Sequence, residues 1–293
     1  MIVLVTGASG FLGRHVVAAL ASAGLMVETL HRGQSLEGHR HHQVDVRSPE
    51  ARAAAGAADV IVHLAGRGNV AESLARPFEY NDLNAVGTLN LLEGARHRGA
   101  HFILSSTQRI YAPSEGRMPE DHRVAPADPY AVAKLVAERW VGMYARFCEL
   151  PATILRFFSV YGPGQVGQGN SGVVSIFAQR ARAGLPLVVH QEQRRDLTWA
   201  SDAAHGVLLA IQNPSAHAQL RTYNVATGVG TSLEELARTI CRLLGSSSPV
   251  VPATQTAAEG DRVANIDRAR RELGYAPEVS VEQGLRALLG TGA

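Results

Sequence analysis

The chain has little of several things that usually announce a protein's role. Two cysteines, Cys148 and Cys241, stand far apart without Cys-x-x-Cys spacing, which argues against a disulfide framework and a cysteine-rich zinc site and points to a reducing compartment. Neither sign of charge is in excess: 28 Lys+Arg against 26 Asp+Glu leave a net +2. With no basic stripe interleaved with aromatics, composition gives no footprint for nucleic acid. No apolar run approaches the length of a membrane span, and the apolar start, residues 1–5, is too short for a signal-peptide core. A cytoplasmic protein with no membrane segment is therefore expected. Repeats are absent, and low complexity is confined to residues 246–248. What remains is 293 residues with 46% hydrophobic content, enough for one large domain or a main domain with a smaller lobe.

The pattern that fills this length alternates short apolar runs with helix-period segments. A strand over residues 2–5 breaks at Gly7, Gly10 and Gly13 and is followed by a helix over 11–23 with Leu12, Val16 and Leu20 on one face. A turn without Cβ atoms lets backbone amides and a helix N-terminus approach a pyrophosphate. The second strand, 26–30, ends at His31-Arg32-Gly33, where an NAD-binding fold usually carries a carboxylate for the ribose hydroxyls. Arg32 suits a 2′-phosphate instead, so NADP is the expected cofactor, with NAD the alternative; otherwise His31 and Arg32 form a solvated loop. The His39–His42 tract has no further ligand set nearby, and no metal is expected. It leads into a short strand ending at Asp45-Val46, with Asp45 placed to accept from an adenine amino group.

A buried strand, 60–64, contains His63, read as a hydrogen-bonded core residue, and breaks at Ala65-Gly66, where backbone can lie against a cofactor. A helix over 80–96 holds Asn84 between apolar positions, and the amide needs partners, expected in the turn after the following strand. That strand, 101–104, runs into Ser105-Ser106-Thr107, a hydroxyl cluster at a strand's carboxyl end.

Next comes the stretch from Asp128 to Lys134. Asp128 is a good N-cap and Pro129 a good first helical residue, so Tyr130 falls in a first turn and Lys134, four residues on, shares its face. At roughly 5 Å and an effective dielectric near 20, the ammonium favours the phenolate by about 3 kcal/mol, about two pKa units. Tyr130 and Lys134 are thus a candidate proton-transfer pair, with Thr107 hydrogen-bonding a substrate oxygen beside them.

These segments together resemble the extended short-chain dehydrogenase/reductases, in particular the nucleotide-sugar epimerase/dehydratase group. The resemblance rests on the fingerprint from Thr6 to Gly13, His63 to Gly66, Asn84 to Thr88, Ser105 to Thr107, Tyr130 to Lys134, Arg156 to Pro163 and Arg195-Asp196, in family order. It implies a Rossmann-type doubly wound parallel α/β sheet over residues 1–163, with part of the later chain returning to it, and a smaller α/β substrate lobe over 164–293. It implies Thr107, Tyr130 and Lys134 as the catalytic set. Cofactor contacts fall to Gly7, Ser9, Gly10, Phe11, Leu12, Arg32, Asp45, Val46, Leu64, Ala65, Gly66, Asn84, Ser105 and Phe157 besides Tyr130 and Lys134; Thr107, Ser159 and Arg195 are left for a nucleotide sugar. A homodimer paired through the helices around Asn84 and Tyr130 is implied too.

Departures from the group narrow the reaction. Gln108-Arg109 follow Thr107 where dehydratases carry Asp-Glu; Ser159 replaces a common Asn, and Ala258-Glu259-Gly260-Asp261 replaces Arg-Pro-Gly-Asp. The expected function is NADPH-dependent reduction of a 4-keto-6-deoxy sugar nucleotide. A 4-epimerase using retained NAD is the alternative, and a non-catalytic NADP-sensing protein the remaining reading.

Overall fold

The computed structural model describes residues 1–165, 172–190, 193–214, 219–253 and 260–290. Six strands come first: β1 (Ile2–Thr6), β2 (Met26–Leu30), β3 (Arg40–His42), β4 (Val60–His63), β5 (His101–Thr107) and β6 (Ala152–Phe157). The chain then leaves for β7 (Val160–Tyr161), β8 (Leu187–Val189), β9 (Arg194–Asp196) and β10 (Thr198–Trp199), and returns with β11 (Leu220–Val225). The first six and β11 form a seven-stranded sheet in the order β11-β6-β5-β4-β1-β2-β3, parallel at every pairing. The order reverses beside β1, so the carboxyl ends of β1 and β4 open a crevice.

Apolar runs in a parallel sheet need cover on both faces, and alternation along β1 sorts the cover. Val3 and Val5 face α1 (Phe11–Ser22), while Leu4 faces α2 (Pro49–Ala57) and neighbouring helices, in two separate buried clusters. Beyond α3 (Val70–Ala75), the helix expected over 80–96 is α4 (Pro77–Asn81), a π turn (Asp82–Val86) and α5 (Gly87–Arg98). The strand expected to reach Asp45-Val46 ends at His42. α6 (Pro129–Phe147) opens as its sequence dictates, with Asp128 Oδ1 accepting from Ala131 N at 2.9 Å and Pro129 as first residue.

The later chain builds a lobe from α7 (Val173–Arg182) and α9 (Leu233–Leu244) with α11 (Val281–Leu289), packed around Tyr161, Phe177, Leu236, Ile240 and Leu285. β12 (Gly230–Ser232) pairs antiparallel with β9, and β13 (Val250–Pro252) parallel with β8. α8 (Ala200–Gln212) and α10 (Asp267–Leu273) pack back on the main sheet's core instead. Asp196, fully buried, accepts from Thr227 N, Gly228 N and Ala264 N, tying the lobe's turns to one carboxylate.

Two buried polar networks lock the sheet to its helices. Arg156 on β6 donates to both carboxylate oxygens of Glu138 on α6 (3.0 and 2.7 Å), to Tyr111 Oη and to Glu120 O. The second is a directed chain through His63. Thr6 Oγ1 accepts from Ala65 N (3.2 Å) and pairs with His63 Nδ1 (2.7 Å), donating to it where that nitrogen is bare. Thr88 donates to Asn84 O (2.6 Å), so it accepts from His63 Nε2 (3.0 Å). The partners therefore select the neutral Nε2–H tautomer.

That tautomer makes stability acid-sensitive. Burial, with the Lys134 charge adding to it, holds His63 down at about 3, and burial holds His101 at about 4, both from an ordinary 6.5. Between those values and 6.5 the unfolded state binds more protons, so stability falls as pH drops below 6.5. By pH 5 the loss is on the order of 2 kcal/mol per histidine. Urea midpoints at pH 7 and pH 5 check this: the midpoint should fall at pH 5, and His101→Gln should shrink the fall by about half.

Candidate active site

At the end of β1 the chain turns at Gly7, whose φ of 68° is left-handed, and Gly10 N donates to Gly7 O at 2.9 Å. A Cβ on Gly7 would lie 2.6 Å from Ala65 N, and one on Gly13 would lie 2.2 Å from Gly7 O. The turns after β1 and β4 thus pack backbone against backbone, and the first amides of α1 face the crevice between them.

The crevice is a cleft of about 290 Å³, walled by Gly7, Ser9 and Gly10, by residues 30–33, by Val44, Asp45 and Val46, and by Leu64, Ala65, Gly66 and Leu83. Nine expected cofactor residues line it: Gly7, Ser9, Gly10, Arg32, Asp45, Val46, Leu64, Ala65 and Gly66. Phe11 and Leu12 sit in the first turn of α1; Phe11 packs edge-on against His15 and Leu12 packs against the core, so their amides rather than side chains are turned to use. Five further residues of the cleft wall were not expected there: Leu30, His31, Gly33, Val44 and Leu83. Gly33 and Val44 flank residues that were, and His31 was read as part of a solvated loop, yet that ring is buried on the cleft wall.

Several polar groups have partners other than those expected. Asp45 accepts from Arg47 (2.7 and 2.8 Å) and lies 3.9 Å from Arg32; these cations hold its carboxyl down at about 2. Of the histidine tract, His41 contacts Thr29 Oγ1 and Gly33 O, and His42 contacts Glu28 Oε2. Among the described residues no cluster of metal-ligating side chains forms. Asn84 is buried within the π turn, accepting from Arg67 N (2.9 Å) and donating to Arg67 O (3.0 Å). It fastens the turn after β4, the strand before it, rather than the turn after β5.

At the carboxyl end of β5, Thr107 Oγ1 accepts from Arg109 N (3.2 Å) and caps the short turn Gln108–Ile110. Its hydroxyl neighbours the Tyr130 phenol and favours the phenolate. Tyr130 is half-buried, with the Tyr80 ring edge-on at 6.4 Å. Arg109 Nε donates to Asp128 Oδ2 at 2.9 Å, so the residue capping α6 is also anchored to the Thr107 turn.

Lys134 does share the face of Tyr130, but its Nζ donates to Ser105 O at 2.8 Å. The expected lowering of the phenol is therefore absent from the protein alone: burial pushes Tyr130 up, opposed by the neighbouring Thr107 hydroxyl. Burial in turn brings Lys134 down to about 8, against the pull of Glu138. A phenol that gives up its proton here needs further positive charge beside it, which a cationic nicotinamide ring supplies when bound.

Phe157 ends β6 opposite Thr107, with its side chain in the core. Ser159 follows at the mouth of the lobe, its carbonyl accepting from Thr198 N. Arg195, half-buried on β9, donates to Gln193 Oε1 (2.7 Å) and Gly260 O (3.2 Å). Its bridge partner Arg262 donates to Tyr111 O (3.0 Å), so the strand carrying Arg195 is tied to the chain just after Thr107. Ala258 and Glu259 lie outside the described residues.

The cradle fits a dinucleotide on two observations: a glycine turn with no room for a Cβ, and a cleft walled by all three strand ends beside the order reversal. Comparison with known proteins agrees. The UDP-glucose 4-epimerase of Mycolicibacterium smegmatis is 31% identical over 303 residues, 96% of this chain and 95% of that one. Among solved structures, Thermotoga maritima UDP-glucose 4-epimerase with UDP-glucose superposes with a TM-score of 0.90 at 28% identity, covering 99% of this chain and 98% of that one. The Thermus thermophilus UDP-glucose 4-epimerase complex with NAD gives 0.88 at 30%, with the same coverage. A family model described as NAD dependent epimerase/dehydratase matches residues 3–226, from the first strand of the sheet to its last. With that match and the full-length likeness, the chain belongs to the NAD dependent epimerase/dehydratase family.

Proposed function

We propose that this enzyme is a nucleotide-sugar 4-epimerase working with retained NAD. The observation that carries the reading is Lys134, on the face of Tyr130, with its Nζ held on Ser105 O (2.8 Å) beside Gly66 of the cleft wall, in a chain similar over its length to UDP-glucose 4-epimerases. The backbone from Gly7 to Leu12 would cradle the pyrophosphate. Asp45 and Val46 would border the adenine, Leu64 to Gly66 would lie along the cofactor's middle, and Asn84 would hold that turn in place. Lys134, with Ser105 and Phe157, would border the nicotinamide ribose. When bound, the dinucleotide supplies oxidation and re-reduction at the sugar's C4.

The chain's own residues handle the proton. Tyr130 takes it from the C4 hydroxyl and returns it, with Thr107 bonded to the same oxygens. The Lys134 ammonium, held on Ser105 O, would face the nicotinamide ribose, and the bound cationic ring would supply the charge that favours the phenolate. Arg195, a planar guanidinium already splayed between Gln193 and Gly260, would pair with the substrate's diphosphate, beside Ser159 and within the lobe of residues 164–293.

A second reading, NADPH-dependent reduction of a 4-keto-6-deoxy sugar nucleotide, is favoured by one feature: Arg32 stands in the cleft where a carboxylate would select NAD. A homodimer is part of the proposal, since Phe78 (81% exposed), Trp140, Met143 and Phe147 (64% exposed) leave apolar surface on α4 and α6.

Three outcomes test these statements. Tyr130→Phe should lower kcat for UDP-galactose/UDP-glucose interconversion by about 10²–10⁴-fold while dinucleotide binding persists; an undiminished rate removes Tyr130 from the mechanism. Purified protein should release NAD on denaturation and interconvert the sugars with no NADPH consumed, whereas stoichiometric NADPH consumption selects the reductase. Light scattering should give twice the chain mass, and Phe147→Glu should halve it.

A further inference from the structure

We propose that Arg109 is a positioning residue for the acid/base step: its ion pair with Asp128 holds the turn carrying Thr107 against the start of α6 and cancels a carboxylate beside the Tyr130 phenol. The inference rests on Tyr130 as the acid/base, and not on which sugar nucleotide is turned over. Asp128 precedes Tyr130 by two residues and is 6% exposed. Its Oδ1 accepts from Ala131 N at 2.9 Å, capping the helix, and its Oδ2 accepts from Arg109 Nε at 2.9 Å. Arg109 stands two residues after Thr107 and donates its own amide to Thr107 Oγ1 at 3.2 Å. A continuous path of contacts therefore runs from Thr107 through Arg109 and Asp128 into the helical turn that carries Tyr130.

The cap by itself does not require a carboxylate. Asn, Asp and Ser cap helices about equally well, and a negative charge beside a phenol that must become a phenolate works against the chemistry. What Asp128 adds over a neutral cap is a second charged oxygen, and Arg109 takes it. The pair is largely out of water, with the Asp128 side chain 5% and the Arg109 side chain 23% exposed, so each charge is felt across the short distance to the phenol.

The other groups around the phenol do not perform this cancellation. On α6, Lys134 turns its Nζ to Ser105 O. From α4, Tyr80 sets its ring edge-on, with its hydroxyl donated to Glu72 Oε2 on α3 at 3.0 Å. From β5, Thr107 contributes an uncharged hydroxyl. Burial raises the Tyr130 pKa and Thr107 lowers it; the charges then act in opposite directions, Asp128 raising it and Arg109 lowering it.

The test is the pH dependence of kcat for UDP-galactose/UDP-glucose interconversion by the NAD-loaded protein, whose rising limb follows ionisation of Tyr130. A near-ultraviolet phenolate titration, with Tyr130→Phe as the baseline, reads the same ionisation without substrate. Arg109→Gln leaves Asp128 uncompensated, so both readouts should move up by about one pH unit, a tenfold lower rate on the limb. Asp128→Asn keeps a cap and leaves Arg109 unopposed, so both should move down by about as much. In Arg109→Gln/Asp128→Asn the limb should return to its native position while the plateau rate stays below native, because the bridge is gone. Circular dichroism confirms that each variant is folded; should Arg109→Gln fail to fold, the direction of the shift in Asp128→Asn decides. Single variants that leave the ionisation unmoved, or move it the same way, overturn the inference, as does a native plateau in the double variant. An undiminished rate in Tyr130→Phe overturns it together with the acid/base reading, whereas an inactive Tyr130→Phe beside an unmoved ionisation removes this inference alone.

Discussion

A single run of directed hydrogen bonds through His63 holds the site's walls in register. It begins at the amide of Ala65, passes through the hydroxyl of Thr6 and the imidazole, and ends through Thr88 on the carbonyl of Asn84. Three separate pieces of chain meet there: the end of β1 that feeds the glycine turn, the turn after β4, and the π turn beneath it. Each link donates in one direction only, so the run is satisfied by one tautomer and no other. In a dry interior such a run is worth keeping whole, since a broken link strands a buried polar group.

Thr107 and Tyr130 sit one strand away, and their fastening follows the same logic. β5 ends in Thr107, which caps its own turn; Arg109 in that turn grips Asp128, which caps α6. One helical turn beyond Lys134, Glu138 accepts the two-pronged grip of Arg156 from β6. The helix carrying Tyr130 and Lys134 is therefore clamped at its start and again nearly three turns later. A buried ion pair of this kind adds little net stability; its consequence is that Tyr130 and Lys134 cannot rotate away from β5.

Much of this was legible from residue order. Gly7, Gly10 and Gly13 after an apolar run spell a cofactor turn because only a missing Cβ permits backbone to meet backbone there, and Asp128-Pro129 spells a helix start for equally local reasons. The π turn at Asp82–Val86 carries no such local mark, and it decides which turn Asn84 fastens. Spacing set Lys134 on the face of Tyr130 but said nothing of the Ser105 carbonyl that draws its ammonium away, nor of the burial that raises the phenol. His31 looked like a loop residue for the same reason: burial is a property of what folds over a side chain, and a strand end reads alike whether covered or bare. The reaction, too, leaned toward reduction on the strength of Arg32, while likeness over the full length favours epimerisation.

One arrangement in the sheet bears on how the molecule is made. β6 is flanked by β5 on one side and on the other by β11, which arrives only at residues 220–225, after most of the lobe's segments have been threaded. During synthesis from the ribosome, β6 waits with one row of amides and carbonyls open, although every one of its residues is buried in the finished protein. A fragment cut after the first six strands would keep that raw edge, so the first half of the chain is not an excisable module, and β11, threaded through the lobe's segments, is the piece that seals it.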